Sequence, residues 1–115
     1  MSNILLIDDD EDMLAMTGRW LEKAGYSVTK ATGGEEALSM LKGLKPDLIL
    51  LDYAMPGMDG PATLAAIRAL DELKNIPVLY RTGMDDDISG GDADGVIPKS
   101  EGKPFLMKAV ENALS

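Results

Sequence analysis

The chain has 115 residues, enough for one domain with a real core, and 45% of them are hydrophobic. It contains no cysteine and no histidine, which excludes disulfides, thiolate metal sites and imidazole bases; any metal site must be built from oxygens, which suits Mg²⁺, Ca²⁺ or Mn²⁺. The formal charge of −9 argues against a nucleic-acid surface and favours solubility, and no apolar stretch approaches the roughly 20 residues that span a bilayer.

The opening MSNILLIDDD is interrupted by charge too early for a signal peptide, so a cytoplasmic protein is expected. Ile4 to Ile7 reads as a strand buried on both faces and ends in Asp8, Asp9 and Asp10. A helix follows, with Met13, Leu14, Thr17, Trp20, Leu21 and Ala24 at helical spacing, Asp10 as its cap and Gly25 as its C′ residue. Tyr26 to Ala31 reads as an edge strand, because Ser27, Thr29 and Lys30 leave it partly wet. Thr32-Gly33-Gly34-Glu35 matches a capping box and opens a helix burying Ala37, Leu38, Leu41 and Leu44.

Leu48 to Leu51 is an unbroken apolar run that stops at Asp52, and Pro56, Gly57 and Gly60 follow at once. Asp52 therefore ends a central strand, at the edge where open α/β sheets bind ligands. Pro61 suits the first position of a third helix, with Ala62, Ala66, Ala69 and Leu73 as its stripe. Ile76 to Arg81 is a fourth strand, closing at Thr82-Gly83. The stretch from Gly83 to Gly95 is rich in glycine and aspartate, and is expected to sit at the low-stability end of the fold. Val96 and Ile97 form a short fifth strand before Lys99, and a last helix from near Pro104 buries Leu106, Ala109, Val110, Ala113 and Leu114. The alternation of strands and helices predicts a parallel sheet with right-handed crossovers, in one domain over residues 1–115 with no repeat or linker.

In such a sheet Asp8, Asp9, Asp52, Thr82 and Lys99 share one edge. Three carboxylates within ~5 Å repel by about 3 kcal/mol per pair at an effective dielectric near 20, a penalty that a divalent cation removes. One carboxylate beside such a cation can attack phosphorus, with the cation and the lysine neutralising the charge that develops. Each residue also has a plain reading: the three N-terminal aspartates as acids favoured by a helix dipole, Thr82 as a turn residue, Lys99 as a solvated cation. Asp52 is harder to dismiss, because a charge ending a buried strand needs a partner.

The motifs ILLIDDDED, LILLDYAMPGMDG, PVLYRTG and GVIPKS resemble those of the receiver domains of two-component response regulators, the CheY-like family, over essentially the whole chain. The resemblance implies a doubly wound five-stranded parallel sheet in order 2-1-3-4-5. It implies Asp52 as phosphoacceptor, Asp8 and Asp9 as the acidic pair, and the carbonyl of Ala54 as the remaining protein ligand of Mg²⁺, with Mn²⁺ or Ca²⁺ able to substitute in binding. Thr82 becomes the switch hydroxyl and Lys99 the phosphate-contacting lysine. The implied donor is a histidine on a histidine kinase or histidine phosphotransfer protein, and output passes to a downstream protein target, without nucleic acid or membrane. The chain would catalyse its own phosphorylation and dephosphorylation at Asp52, with no separate substrate turnover and so no conventional enzyme activity.

The departures from the family are specific. The usual Lys-Pro after strand five is Lys99-Ser100 here, while Lys103-Pro104 lies four residues on; Lys99 is preferred because it directly follows the strand. Val96 stands where the switch aromatic usually is, and Thr82 and Lys99 are only 17 positions apart, so the fourth helix is expected to be shortened or disordered. The missing aromatic and the Thr82-Gly83 pair after the fourth strand resemble an atypical subset of receivers, and signalling is expected to use an order change between Gly83 and Gly95. Two other readings exist: a phosphorylation-independent pseudo-receiver, and a haloacid-dehalogenase-type phosphatase built on Asp8-Asp9-Asp10.

Overall fold

The computed structural model describes residues 2–83 and 93–115. Five strands, β1 (Asn3–Ile7), β2 (Ser27–Ala31), β3 (Leu48–Asp52), β4 (Val78–Thr82) and β5 (Gly95–Pro98), pair in parallel in the order β2-β1-β3-β4-β5. Among the described residues four helices, α1 (Glu11–Lys23), α2 (Gly34–Met40), α3 (Gly60–Arg68) and α4 (Lys103–Leu114), cover the two faces. The helix expected between β4 and β5, and the order change expected there, fall on residues 84–92, outside the described residues.

Successive side chains of a strand point to opposite faces, and the core divides accordingly. Ile4, Leu6, Leu48, Leu50, Leu79 and Ile97 pack with α1 and α4 through Leu14, Leu21, Leu106 and Val110. Leu5, Ile7, Ile49, Leu51, Val78 and Tyr80 pack with α2 and α3 through Ala37, Leu64 and Ile67. Strand β3 is buried at all five positions, as an unbroken apolar run requires of a central strand covered on both sides. Strand β2 lies at the edge and keeps a wet face.

The ends of α1 follow from its sequence. The Asp10 carboxylate accepts from the amides of Asp12 and Met13, at 2.9 and 3.3 Å. At the other end Gly25 takes φ 100°, its N–H bonds the Glu22 carbonyl and the Tyr26 N–H bonds that of Leu21, which is a Schellman closure.

Three local expectations need correction. The cap of α2 is Gly33, one residue later than the capping-box reading, and it makes no side-chain bond. Glu36, not Glu35, reaches back, accepting from the Thr32 amide at 2.8 Å, so only the glutamate half of the box forms. In α3 the cap is Asp59, whose carboxylate accepts from the Ala62 amide at 2.9 Å, and Pro61 follows Gly60 as the second helical residue. The buried stripe of α3 is Gly60, Thr63, Leu64 and Ile67, while Ala62 and Ala69 face outward. Leu64 and Ile67 remove more apolar surface from water than alanines do, and this fixes the rotation of the helix.

Candidate functional site

The carboxyl ends of β1, β3, β4 and β5 bring the charged residues together. Asp8 follows β1, and its Oδ1 accepts from the Asp10 amide at 2.9 Å, an Asx turn that orients the carboxylate while Asp10 caps α1. Asp10 is thus the ordinary helix-start acid. Asp8 is buried and Asp9 exposed. Asp52 is the last residue of β3 and 3% exposed. One carboxylate oxygen from each of Asp8, Asp9 and Asp52 lies within 4.8 Å of the others.

Lys99 bridges two of these acids. Its Nζ stands 3.1 Å from Asp52 Oδ1 and 3.3 Å from Asp8 Oδ2. The second contact is an ion pair without hydrogen-bond geometry, and Asp8 Oδ2 and Asp52 Oδ2 are buried with no hydrogen-bond partner among the described residues. Lys103 stands exposed in the first turn of α4. Thr82, the last residue of β4, is buried, and its carbonyl accepts from the Lys99 amide at 2.7 Å. Ala54 is exposed in the turn two residues beyond Asp52. Gly60 closes that turn: its amide donates to the Tyr53 carbonyl at 2.9 Å, and a Cβ there would meet the Asp52 and Tyr53 carbonyls at 2.7 Å. Only glycine lets α3 start that close to the backbone of the acidic edge.

The electrostatics follow from burial. Desolvation, then the charge of Asp8, pushes the Asp52 carboxyl up to about 7; Lys99 opposes the rise and a hydrogen bond with Asp9 adds to it. Burial pulls the Lys99 ammonium down, but Asp8 and Asp52 outweigh it and hold it above its ordinary value. The donor set fits a hard divalent cation, because it offers three carboxylates, two of them carrying buried oxygens with no hydrogen-bond partner among the described residues.

The sequence reading missed Arg81. It is 2% exposed, lies opposite Asp52 in the β3–β4 register, and its Nη1 donates to Thr17 Oγ1 of α1 at 2.7 Å. The available signal was an arginine between Tyr80 and Thr82 in a strand buried on both faces, where a charge needs a reason.

Trp20 lies 11 positions beyond Asp9, roughly 16 Å along the helix at 1.5 Å per residue, and packs half-buried against the α1–α4 core. Titration with Mg²⁺ should leave its emission nearly constant, and strong quenching in a fluorescence titration would contradict this placement.

A doubly wound parallel sheet whose carboxyl edge gathers an aspartate triad and a lysine is the architecture of a signalling receiver module. The chain belongs to the response regulator receiver domain family, whose match runs over residues 4–111. It is 40% identical over 107 residues to the transcriptional regulatory protein PrrA of Mycobacterium leprae, covering 90% of this chain and 44% of that protein. It is 37% identical over 84 residues to the alkaline phosphatase synthesis transcriptional regulatory protein PhoP of Bacillus subtilis, covering 73% of this chain and 34% of that one. The chain therefore spans less than half the length of these curated relatives. Among solved structures it superposes on the chemotaxis protein CheY4 of Vibrio cholerae with a TM-score of 0.92, 28% identity and 99% of both chains covered. A response regulator from Chloroflexus aurantiacus gives 0.91, 31% identity, and 98% and 97% covered. This membership displaces the haloacid-dehalogenase-type reading. No helix among the described residues is long and apolar enough to cross a membrane.

Proposed function

We propose that the chain is a phosphoacceptor receiver that takes a phosphoryl group on Asp52 from a phosphohistidine of a histidine kinase or phosphotransfer protein. The observation that carries this reading is the approach of Asp8, Asp9 and Asp52 within 4.8 Å with Lys99 at 3.1 Å from Asp52 Oδ1. The Asp52 carboxylate attacks phosphorus, the P–N bond to the donor imidazole breaks, and a P–O bond to Asp52 forms. Asp8, Asp9, Asp52 and the Ala54 carbonyl would hold Mg²⁺, with Mn²⁺ or Ca²⁺ able to take its place. When bound, the ion supplies positive charge beside the phosphoryl oxygens.

The rest is done by the chain's own groups. Lys99 holds the nucleophile in place and carries three donors for the incoming oxygens. Thr82 offers one hydroxyl donor, and its backbone bond to Lys99 ties the two contacts to one strand pair. Burial of Asp52 excludes water from the attacking oxygen. The modified domain then presents an altered surface to a protein target, and no substrate is turned over in the ordinary sense.

Incubation with acetyl phosphate and Mg²⁺ should add one phosphoryl mass to the wild type and none to Asp52→Asn, read by intact mass spectrometry. Equal gain by the asparagine variant would refute the assignment of the acceptor.

A further inference from the structure

Arg81 is a full positive charge inside the protein. Its side chain belongs to the sheet face of Leu79, which is also the face of Asp8, Asp52 and Lys99 by alternation from Leu6, Leu50 and Ile97. Its Nη1 is spent on Thr17, while its buried Nε has no hydrogen-bond partner among the described residues. Burial lowers the guanidinium from its ordinary value, and the charges of Asp8 and Asp52 act against that fall. Arginine nevertheless stays protonated in proteins. A buried charge whose hydrogen-bond partner among the described residues is a neutral hydroxyl depends on the field of nearby carboxylates, and among the described residues the carboxylates acting on it are Asp8 and Asp52 of the acidic edge.

The three aspartates, Lys99 and Arg81 together carry a formal charge of −1. A divalent ion brings the group to +1, whereas without Arg81 the remaining −2 would match the ion.

We propose that Arg81 is an internal counter-charge, tethered by Thr17, that weakens divalent-cation binding at Asp8, Asp9 and Asp52 and holds the cation-free site together. The inference rests on the cation site proposed above and adds the device that sets its affinity. Because the coupling is a free energy between two positions, it is reciprocal: whatever Arg81 takes from the ion's affinity, the ion takes from the stabilising effect of Arg81.

Calorimetric titration of Mg²⁺ into the whole chain tests it, comparing wild type, Arg81→Gln and Arg81→Lys. Glutamine removes the charge and keeps a donor for Thr17; lysine keeps the charge. Arg81→Gln should bind Mg²⁺ roughly fivefold to tenfold more tightly, at the low end of common coupling strengths, while Arg81→Lys stays close to wild type. The cation-free Arg81→Gln protein should melt earlier than wild type and regain most of the loss in saturating Mg²⁺. Equal or weaker affinity in a folded Arg81→Gln protein overturns the counter-charge and leaves the cation site standing, as does tightening by lysine equal to that by glutamine. An Arg81→Gln protein that stays unfolded in saturating Mg²⁺ also overturns it, because the residue then acts by packing. Mg²⁺ binding that Asp9→Asn does not weaken would instead overturn the cation site itself.

Discussion

Lys99→Met should lower the stability of the cation-free protein by about 3 kcal/mol near pH 8, the low end of what breaking a buried ion pair costs. Lys99 sits between two buried carboxylates, at 3.1 Å from Asp52 and 3.3 Å from Asp8, with 26% of its own side chain exposed. Methionine keeps the apolar stem and removes the charge, so Asp8 and Asp52 face each other without a cation between them. Near pH 5 the loss should shrink, because Asp52, already pushed up to about 7, then carries a proton and its repulsion with Asp8 disappears. Urea unfolding at both pH values checks this, and a pH-independent loss would show that Lys99 acts through its stem. Phosphorylation by acetyl phosphate should slow by roughly 100-fold in the same variant, the usual scale for removing one preorganised donor at developing charge.

The second large effect is a pH dependence opposite in sign to that of a salt-bridged surface acid. The Asp52 carboxyl titrates near 7 in the folded chain, against an ordinary value of 3.8 for the unfolded one. Between these values the folded chain holds a proton that the unfolded chain has released. The contribution of Asp52 to stability must therefore fall as pH rises from about 4 to 7, and level off above. At about 1.4 kcal/mol per pH unit the penalty has an upper bound of about 4 kcal/mol. Asp52→Asn removes it: the variant should match the wild type near pH 4, exceed it increasingly up to about pH 7, and keep a near-constant margin at pH 8. Saturating Mg²⁺ should close the gap at pH 8 by stabilising the wild type and leave pH 4 unchanged. Unfolding free energies across that range are the measurement, and a constant difference between the two proteins would contradict the burial of an ionisable Asp52.

How much of this was legible in the sequence depended on the kind of signal. Strand β3 was plain because Leu48 to Leu51 admit no wet face, and the turn chemistry of Pro56, Gly57 and Gly60 placed Asp52 at an edge. The α1 boundaries were equally plain, since Asp10 and Gly25 act through local backbone geometry. The rotation of α3 was not, because Ala62, Ala66 and Ala69 fit a helical period as well as Leu64 and Ile67 do; the choice belongs to the surface the helix meets. The start of α2 slipped by one residue for a similar reason, as Gly33 and Gly34 leave two cap positions open. At the acidic edge, strand order and spacing named Asp8, Asp9, Asp52, Thr82 and Lys99. They did not reveal that Lys99 would lie between Asp8 and Asp52, nor that Arg81 would turn inward, since both depend on which sheet face a side chain takes.

The backbone bond from Lys99 to Thr82 has a partner at the other end of β5. There the Asp94 amide donates to the Val78 carbonyl at 2.8 Å, and the Asp94 carboxylate accepts from the Val78 amide at 2.8 Å and from Arg68 at 2.9 Å. Strand β5 is thus fastened to β4 at both of its ends, independently of the segment that joins them. The cost of closing a loop between two strands fastened in this way grows by only about 0.6 kcal/mol for each doubling of its length. A receiver can shorten or rewrite the stretch between its fourth and fifth strands while Thr82 and Lys99 keep their spacing. This accounts physically for a chain in which only 17 positions separate those two residues.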